Sequence, residues 1–184
     1  MGKHNDKKDE YDQWEDRFGK GDNYPAYRIT FKEVETFISK LNECTGLNFA
    51  LPTEAQWEYA ARGGKDTNYA LYAGGDNVIE FAWIDENSDK CSEVGKKNPN
   101  TLGLYDMSGN VSEWCQDIYG SYPATEQTAP TGPATGKFKV YRNGSFQDVA
   151  KECRVARRYP AETTYKQPFL GLRLAINGAE NKEK

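Results

Sequence analysis

Apolar residues first recur at helical spacing between Ile29 and Leu41, where Val34, Phe37, Ile38 and Leu41 make one stripe. Thr30 stands at the N-cap position with Glu33 three residues on, and Ile29 and Val34 occupy the positions of a hydrophobic staple. Gly46, after Thr45, supplies the left-handed stop. A second capping box, Thr53-Glu54-Ala55-Gln56, predicts a helix through Trp57, Tyr59, Ala60 and Ala61 that stops at Gly63-Gly64, with Glu54 in the first turn, where a negative charge favours the helix dipole. After Arg62 the texture changes to glycine, asparagine, aspartate and aromatics. Only short strands are predicted there: Val111 to Cys115, Val140 to Asn143, Arg154 to Arg157 and Leu170 to Ala175. Ser121 to Lys137, with Pro123, Pro130 and Pro133, reads as an irregular surface connection. Two early helices followed by loop-borne strands predict an α+β fold.

The 184 residues suit one domain, and 13% aromatics beside 28% charged residues argue for a compact fold carried by few, large side chains. Residues 1–23 hold five basic and seven acidic side chains and read as a charged, mobile arm; the domain is expected over 24–176, with a polar tail at 177–184. No apolar run approaches the roughly 18 residues of a membrane helix, and the first ten residues lack the apolar stretch of a secretory signal. A net charge of -4 speaks against a nucleic-acid module, which needs a basic face.

His4 is the only histidine, so multi-histidine metal sites and Ser-His-Asp or Cys-His catalysis within one chain are excluded. Cys44, Cys91, Cys115 and Cys153 include no C-x-x-C pair. They read as small buried hydrophobes, with disulfides in some pairing as the alternative.

Taken in order, Leu51-Pro52-Thr53-Glu54-Ala55-Gln56-Trp57-Glu58-Tyr59-Ala60-Ala61-Arg62-Gly63-Gly64, Asn98-Pro99-Asn100, Gly103-Leu104-Tyr105-Asp106-Met107-Ser108-Gly109-Asn110-Val111-Ser112-Glu113-Trp114, Arg142-Asn143-Gly144-Ser145-Phe146, Arg154-Val155-Ala156-Arg157-Arg158 and Leu170-Gly171-Leu172-Arg173-Leu174-Ala175 resemble the formylglycine-generating enzyme, or sulfatase-modifying factor, family. The resemblance implies a loop-rich, C-type-lectin-like fold. It does not cover the front of the chain, where the family's first strand and an additional helix give way to the charged arm.

The enzymes of that family are copper-dependent oxidases that convert a sulfatase cysteine to formylglycine, using two cysteines five positions apart just after a Gly-Gly-Ser-aromatic motif. Two thiolates suit Cu(I). Here Asp148 stands where the first belongs. Cys153 is either the second, counting without gaps from Ser145, or an ordinary strand residue if Arg154-Val155-Ala156-Arg157-Arg158 is aligned with the family's strand; the strand register is preferred. One thiol is a poor copper site, and the three-histidine iron site of related members is excluded by the histidine count. Cys153 is thus a weak catalytic candidate, and copper is not expected.

The resemblance also implies a structural calcium held by Asp106, the carbonyls of Gly109 and Val111, and Glu113. Oxygen-only ligation suits a hard cation, and Gly109 frees the backbone to turn its carbonyl inward. The alternative is that Asp106 and Glu113 cap backbone N–H groups. A second calcium of the family would lie near Trp83 to Ser92, a stretch that matches poorly.

A ligand-binding face is expected from Arg142, Asn143, Ser145, Gln147, Asp148, Arg157, Arg158 and Tyr159, with Tyr165 beside them; by resemblance this region lines the family's substrate groove. Arginine and tyrosine are the residue types of binding hot spots. The alternative is that the arginines neutralise acids inside the fold, the preferred reading for Arg154 and Arg173. Trp57, Trp83 and Trp114 read as core. The expectation is a catalytically degenerate member that binds a peptide, protein or glycan. A copper oxidase with an altered site, or part of a bacterial surface assembly, are the alternatives, and the resemblance allows a periplasmic or extracellular location.

Overall fold

The computed structural model describes residues 18–65 and 70–176. His4, most of the expected arm, and the tail from 177 lie outside the described residues. Helix α1, Phe31–Thr45, starts at the predicted capping box: Thr30 Oγ1 accepts from the Glu33 N–H at 3.2 Å, and Glu33 Oε2 accepts from the Thr30 N–H at 2.7 Å. It ends at Gly46, whose φ of 69° lets its N–H reach the Asn42 carbonyl. The buried stripe is rotated from the expected one. Phe31 and Val34 are buried, with Ile38 packed beside them, while Phe37 is 49% exposed. Phe31, three residues before Val34, faces the sheet, and that phase turns Phe37 to solvent.

Strand β1, Phe49–Ala50, leads to helix α2, Glu54–Ala61, where Thr53 and Gln56 form the second capping box. A short helix, α3, covers Val78–Phe81. The main sheet has the order β4-β3-β2-β5, built from β2 (Ser112–Ile118), β3 (Phe138–Arg142), β4 (Arg158–Glu162) and β5 (Leu170–Gly171). β3 runs antiparallel to β2 and β4, β5 runs parallel to β2, and β6 (Ala175–Ile176) pairs separately with β1. The predicted strand at Leu170 to Ala175 is therefore two strands in two sheets. Pro160 is accommodated because β4 is an edge strand.

The strand predicted at Arg154–Arg157 begins only at Arg158. A 3-10 turn, Ala150–Glu152, and a further turn precede it. The Val155 N–H is spent on Leu71 O at 2.9 Å and that of Arg157 on Arg154 O at 2.9 Å, leaving no ladder. Cys153, at the end of the 3-10 turn, is accordingly not a strand residue.

The sheet buries both faces. Trp114, Ala161 and Leu170 pack against Phe31 and Val34 of α1, whereas Cys115 and Val140 pack with Trp57 and Ala61 of α2. Trp114 and Cys115 are neighbours on β2, so strand alternation alone sends them to opposite layers. A third cluster joins Phe18, Cys91, Val111 and Phe146, so the packed unit includes a residue ahead of Tyr24. Trp57 and Trp114 are buried as expected; Trp83 is only half-buried, with Lys97 Nζ 4.1 Å from its ring centre. Among the described residues no helix is long and apolar enough to cross a membrane.

Candidate functional site

The expected ligand face divides at β3 and β4, because Arg142 and Arg158 pair across the strands and so do Tyr141 and Tyr159, one residue out of phase. Successive side chains point to opposite faces. The arginines thus join the α2 side and the tyrosines the α1 side.

On the α2 side, Glu54 opens the helix and Glu58 lies one turn on. Arg142 Nη1 donates to Glu54 Oε1 at 2.7 Å, and Nη2 donates to Glu58 Oε2 at 2.6 Å and to Val155 O at 2.7 Å. Arg158 embraces the same Glu54, with Nε to Oε1 at 2.7 Å and Nη2 to Oε2 at 2.6 Å. The Tyr122 hydroxyl adds a bond to Glu54 at 3.0 Å, and Arg158 lies 4.3 Å from the ring centres of both Tyr119 and Tyr122. Burial works against the Arg142 charge, yet Glu58 and Glu54 outweigh it and raise its pKa. Desolvation likewise opposes the Glu58 carboxylate, and Arg142 and Arg62 more than offset it, so its pKa falls.

This network closes the base of a cleft of about 590 Å³ lined by Glu58, Tyr59, Arg62, Tyr122, Arg158 and the 127–133 segment. Sequence reasoning did not include Glu54, Glu58 or Tyr122. The i, i+4 carboxylate pair on α2 was the available signal.

On the other side Tyr159, Tyr141 and Tyr165 stack in that order. Centroids are 5.0 Å apart at 12° for the first pair and 6.2 Å at 19° for the second. All three are half-buried. The Arg157 guanidinium carbon lies 4.8 Å from the Tyr159 ring centre, and its Nε meets Glu152 Oε2 at 2.6 Å. The Tyr159 hydroxyl donates to the same carboxylate at 2.7 Å. Burial, followed for Tyr141 by the neighbouring Tyr165 and Asp148, raises the pKa of both Tyr141 and Tyr159. Gln147 is exposed and Asp148 half-buried nearby in sequence. Tyr141 was not among the expected residues, although its place before Arg142 in a predicted strand made it visible.

Three expected contact residues do not reach a surface. Arg142, Asn143 and Ser145 are wholly buried, because the β3 end and the turn after it are covered on both faces. Ser145 Oγ donates to Asp148 Oδ2 at 2.6 Å, which orients that carboxylate. Arg173 pairs with Glu113, as the inward reading had it, with Nε to Oε2 at 2.6 Å. Arg154 is exposed and donates to Lys151 O at 2.8 Å.

Cys153 is buried, and desolvation pushes its thiol up to about 12, the opposite of what a nucleophile or soft-metal ligand requires. Its sulfur lies in contact range of the Gly144 backbone, where a Cβ would come within 2.7 Å of it. All four cysteines are unpaired, which agrees with the buried-hydrophobe reading for Cys91, Cys115 and Cys153; Cys44 is exposed.

The loop Asp106 to Glu113 brings the expected calcium ligands close together, but its donors are already used. Asn143 Nδ2 donates to Gly109 O and Val111 O at 2.7 Å each and to Asp106 O at 3.0 Å. Glu113 Oε2 accepts from Trp57 Nε1 at 2.6 Å as well as from Arg173, and Oε1 accepts from Arg173 Nη2 at 2.8 Å. Asp106 Oδ2 accepts from the Gly95 N–H at 2.8 Å and Oδ1 from Asn110 Nδ2 at 3.4 Å. Burial raises the Asp106 pKa, a direction that disfavours its charged form. In this arrangement the set does not fit a cation. Among the described residues, no group of three or more His, Cys, Asp or Glu side chains gathers to hold a metal ion.

Comparison with known proteins gives a consistent picture. Residues 3–178 match the family described as "Sulfatase-modifying factor enzyme 1-like domain". The chain is 36% identical over 173 residues to the formylglycine-generating enzyme of Streptomyces coelicolor, covering 83% of this chain and 52% of that protein. It is 38% identical over 131 residues to the serine/threonine-protein kinase pkn1 of Chlamydia pneumoniae, covering 69% of this chain and 21% of that protein. The chain therefore spans about half or less of these relatives' length. Among solved structures, Treponema denticola variable protein 1 superposes with a TM-score of 0.78 at 27% identity, covering 89% of this chain and 80% of that one. PvdO from Pseudomonas aeruginosa superposes with a TM-score of 0.77 at 23% identity over 87% of this chain and 64% of that one, a likeness of fold.

Proposed function

Because the chain belongs to the sulfatase-modifying factor enzyme 1-like domain family, and has the fold of the formylglycine-generating-enzyme type, we propose that it serves as a binding module of that family. It takes a peptide, protein or glycan on the face formed by Tyr141, Tyr159 and Tyr165 with Arg157, Gln147 and Asp148. One observation carries the reading: three tyrosine rings stacked in a row, half-buried and therefore held in place, stand beside a guanidinium and a carboxylate. Stacked aromatics give contact area with little conformational entropy left to lose, and the charged neighbours select orientation. Arg142 and Arg158 act behind this face by locking β3 and β4 to Glu54.

The experiment is a screen of the purified chain on peptide and glycan arrays, with Tyr159→Ala and Arg157→Ala alongside. Ligands retained by the parent and lost by both variants support the reading; a ligand set indifferent to both overturns it.

A second reading, oxidation of a sulfatase-type cysteine, is favoured by the identity to formylglycine-generating enzymes. Asp148 in the first cysteine position and a buried Cys153 thiol held in its protonated form argue for the binding module instead. Incubation with copper, oxygen and a Cys-x-Pro-x-Arg peptide separates the two: the peptide thiol persists if the module only binds, and turnover to the aldehyde establishes the oxidase.

A further inference from the structure

Three backbone carbonyls, those of Asp106, Gly109 and Val111, converge on the single nitrogen Asn143 Nδ2. Carbonyl oxygens repel one another, so their convergence requires a positive group at the centre. We infer that the Asn143 side chain takes the place of a bound cation in the Asp106–Glu113 loop and makes the loop independent of calcium.

The backbone supports this assignment. Asn143 has a φ of 95°, a conformation that side chains other than asparagine, aspartate and histidine seldom adopt. Asparagine is the one of these that supplies a neutral two-hydrogen donor without titrating. Gly109 turns its carbonyl inward at a φ of 75°, and a Cβ there would strike the Trp83 carbonyl at 2.2 Å. The loop is thus built to point oxygens inward.

The orientation of the amide is fixed by the same cluster. Asn143 Oδ1 is buried and has no partner among the described residues. Turning the amide over would place a fourth oxygen among the three carbonyls. One orphaned oxygen is the smaller cost. The Glu113 charge is also neutralised from within the protein, since the Arg173 guanidinium holds both of its oxygens.

The inference does not depend on the binding-module reading, and its test reads stability alone. Thermal unfolding of the parent chain is expected to be the same in excess EDTA and in millimolar calcium, and terbium added to it is expected to show no tryptophan-sensitised emission. Asn143→Gly removes the donor while suiting the backbone angle. In EDTA its midpoint is expected to fall by roughly 4–12 °C, as expected for stranding up to three carbonyls. With Arg173→Met added, which frees the Glu113 carboxylate from its guanidinium partner, calcium should restore much of that loss and terbium emission should appear. A parent midpoint that drops in EDTA and recovers with calcium overturns the inference. So does a glycine variant that loses nothing, or a double variant whose loss calcium does not touch. Should that variant not fold, Asn143→Asp, which keeps the shape but replaces the donor with an oxygen, serves instead: folding that depends on calcium supports the inference, and folding indifferent to calcium overturns it.

Discussion

The carboxylate of Glu54 and the guanidinium of Arg142, 88 positions apart in the chain, meet at 2.7 Å in a pair whose arginine is wholly buried. Arg158 closes on the same carboxylate from the neighbouring strand, so a helix N-terminus and two strands are joined at one acid. Breaking one side of such a pair strands the other in a poorly solvating site. Arg142→Met is expected to cost about 3–5 kcal/mol in urea denaturation. Glu54→Gln should be similarly destabilising, and the double variant should lose clearly less than the sum, because both remove one shared interaction. Strict additivity would mean that the network carries no coupling.

The thiols give a prediction that needs no variant. Cys91 and Cys153 are buried, and desolvation pushes both up to about 12, against 9.0 for an accessible thiol. Between about pH 9 and 12 the unfolded chain gives up these protons while the folded chain keeps them, so stability is present below 9 and is lost as pH rises. The slope is at most about 1.4 kcal/mol per pH unit for each thiol. Under native conditions at pH 8, a maleimide reagent should label Cys44 and spare Cys91, Cys115 and Cys153; in denaturant it should label all four.

Glu33 tests the first capping box. Its carboxylate accepts from Lys166 Nζ and from the Thr30 N–H, which lower its pKa from 4.5 to about 2. The folded form holds the proton more weakly than the unfolded chain, so the contribution is present above pH 4.5 and is lost as pH falls towards 2. Carboxyl chemical shifts recorded through an acid titration should show this depressed midpoint, and Lys166→Met should move it upward. A Glu33 midpoint near 4.5 in the parent would contradict the bonding described.

For the tyrosine face, Tyr159→Ala is expected to weaken the ligand selected on the arrays by about 30-fold, the loss of a hot-spot ring. Tyr159→Phe, which keeps the ring and gives up the hydroxyl's hydrogen bonding with Glu152 and Arg157, should retain most of the affinity. Titration calorimetry with the three proteins distinguishes stacking from hydrogen bonding as the source.

The two principal helices were legible because their signals are local. Thr30 with Glu33, and Thr53 with Gln56, close their boxes within three residues, whatever the rest of the fold does. The face of α1 was not local. Phe37 and Phe31 both continue a helical stripe, and only contact with Trp114, 83 positions beyond Phe31, decides that Phe31 is the buried one. Arg154 to Arg157 fails as a strand for the same kind of reason: its N–H groups are taken by Leu71 and by its own turn. In the candidate site, residue types were readable and directions were not. Arg158 and Tyr159 are neighbours in sequence, yet one enters the Glu54 network and the other the tyrosine stack, a division set by register against β3.

The pairing of β2 with β5 and of β1 with β6 carries a consequence for how the molecule is made. Strands at residues 112–118 and 49–50 receive their partners from residues 170–176. During synthesis, the helices and the β2–β3 hairpin leave the ribosome first, and β1 and the outer edge of β2 stay without these partners until residues 170–176 emerge. Closure over so long a separation is slow, and an open edge is where one nascent chain pairs with another. Residues 170–176 therefore act as the latch of the fold, and the interval before they arrive is when the protein is most exposed to misassembly.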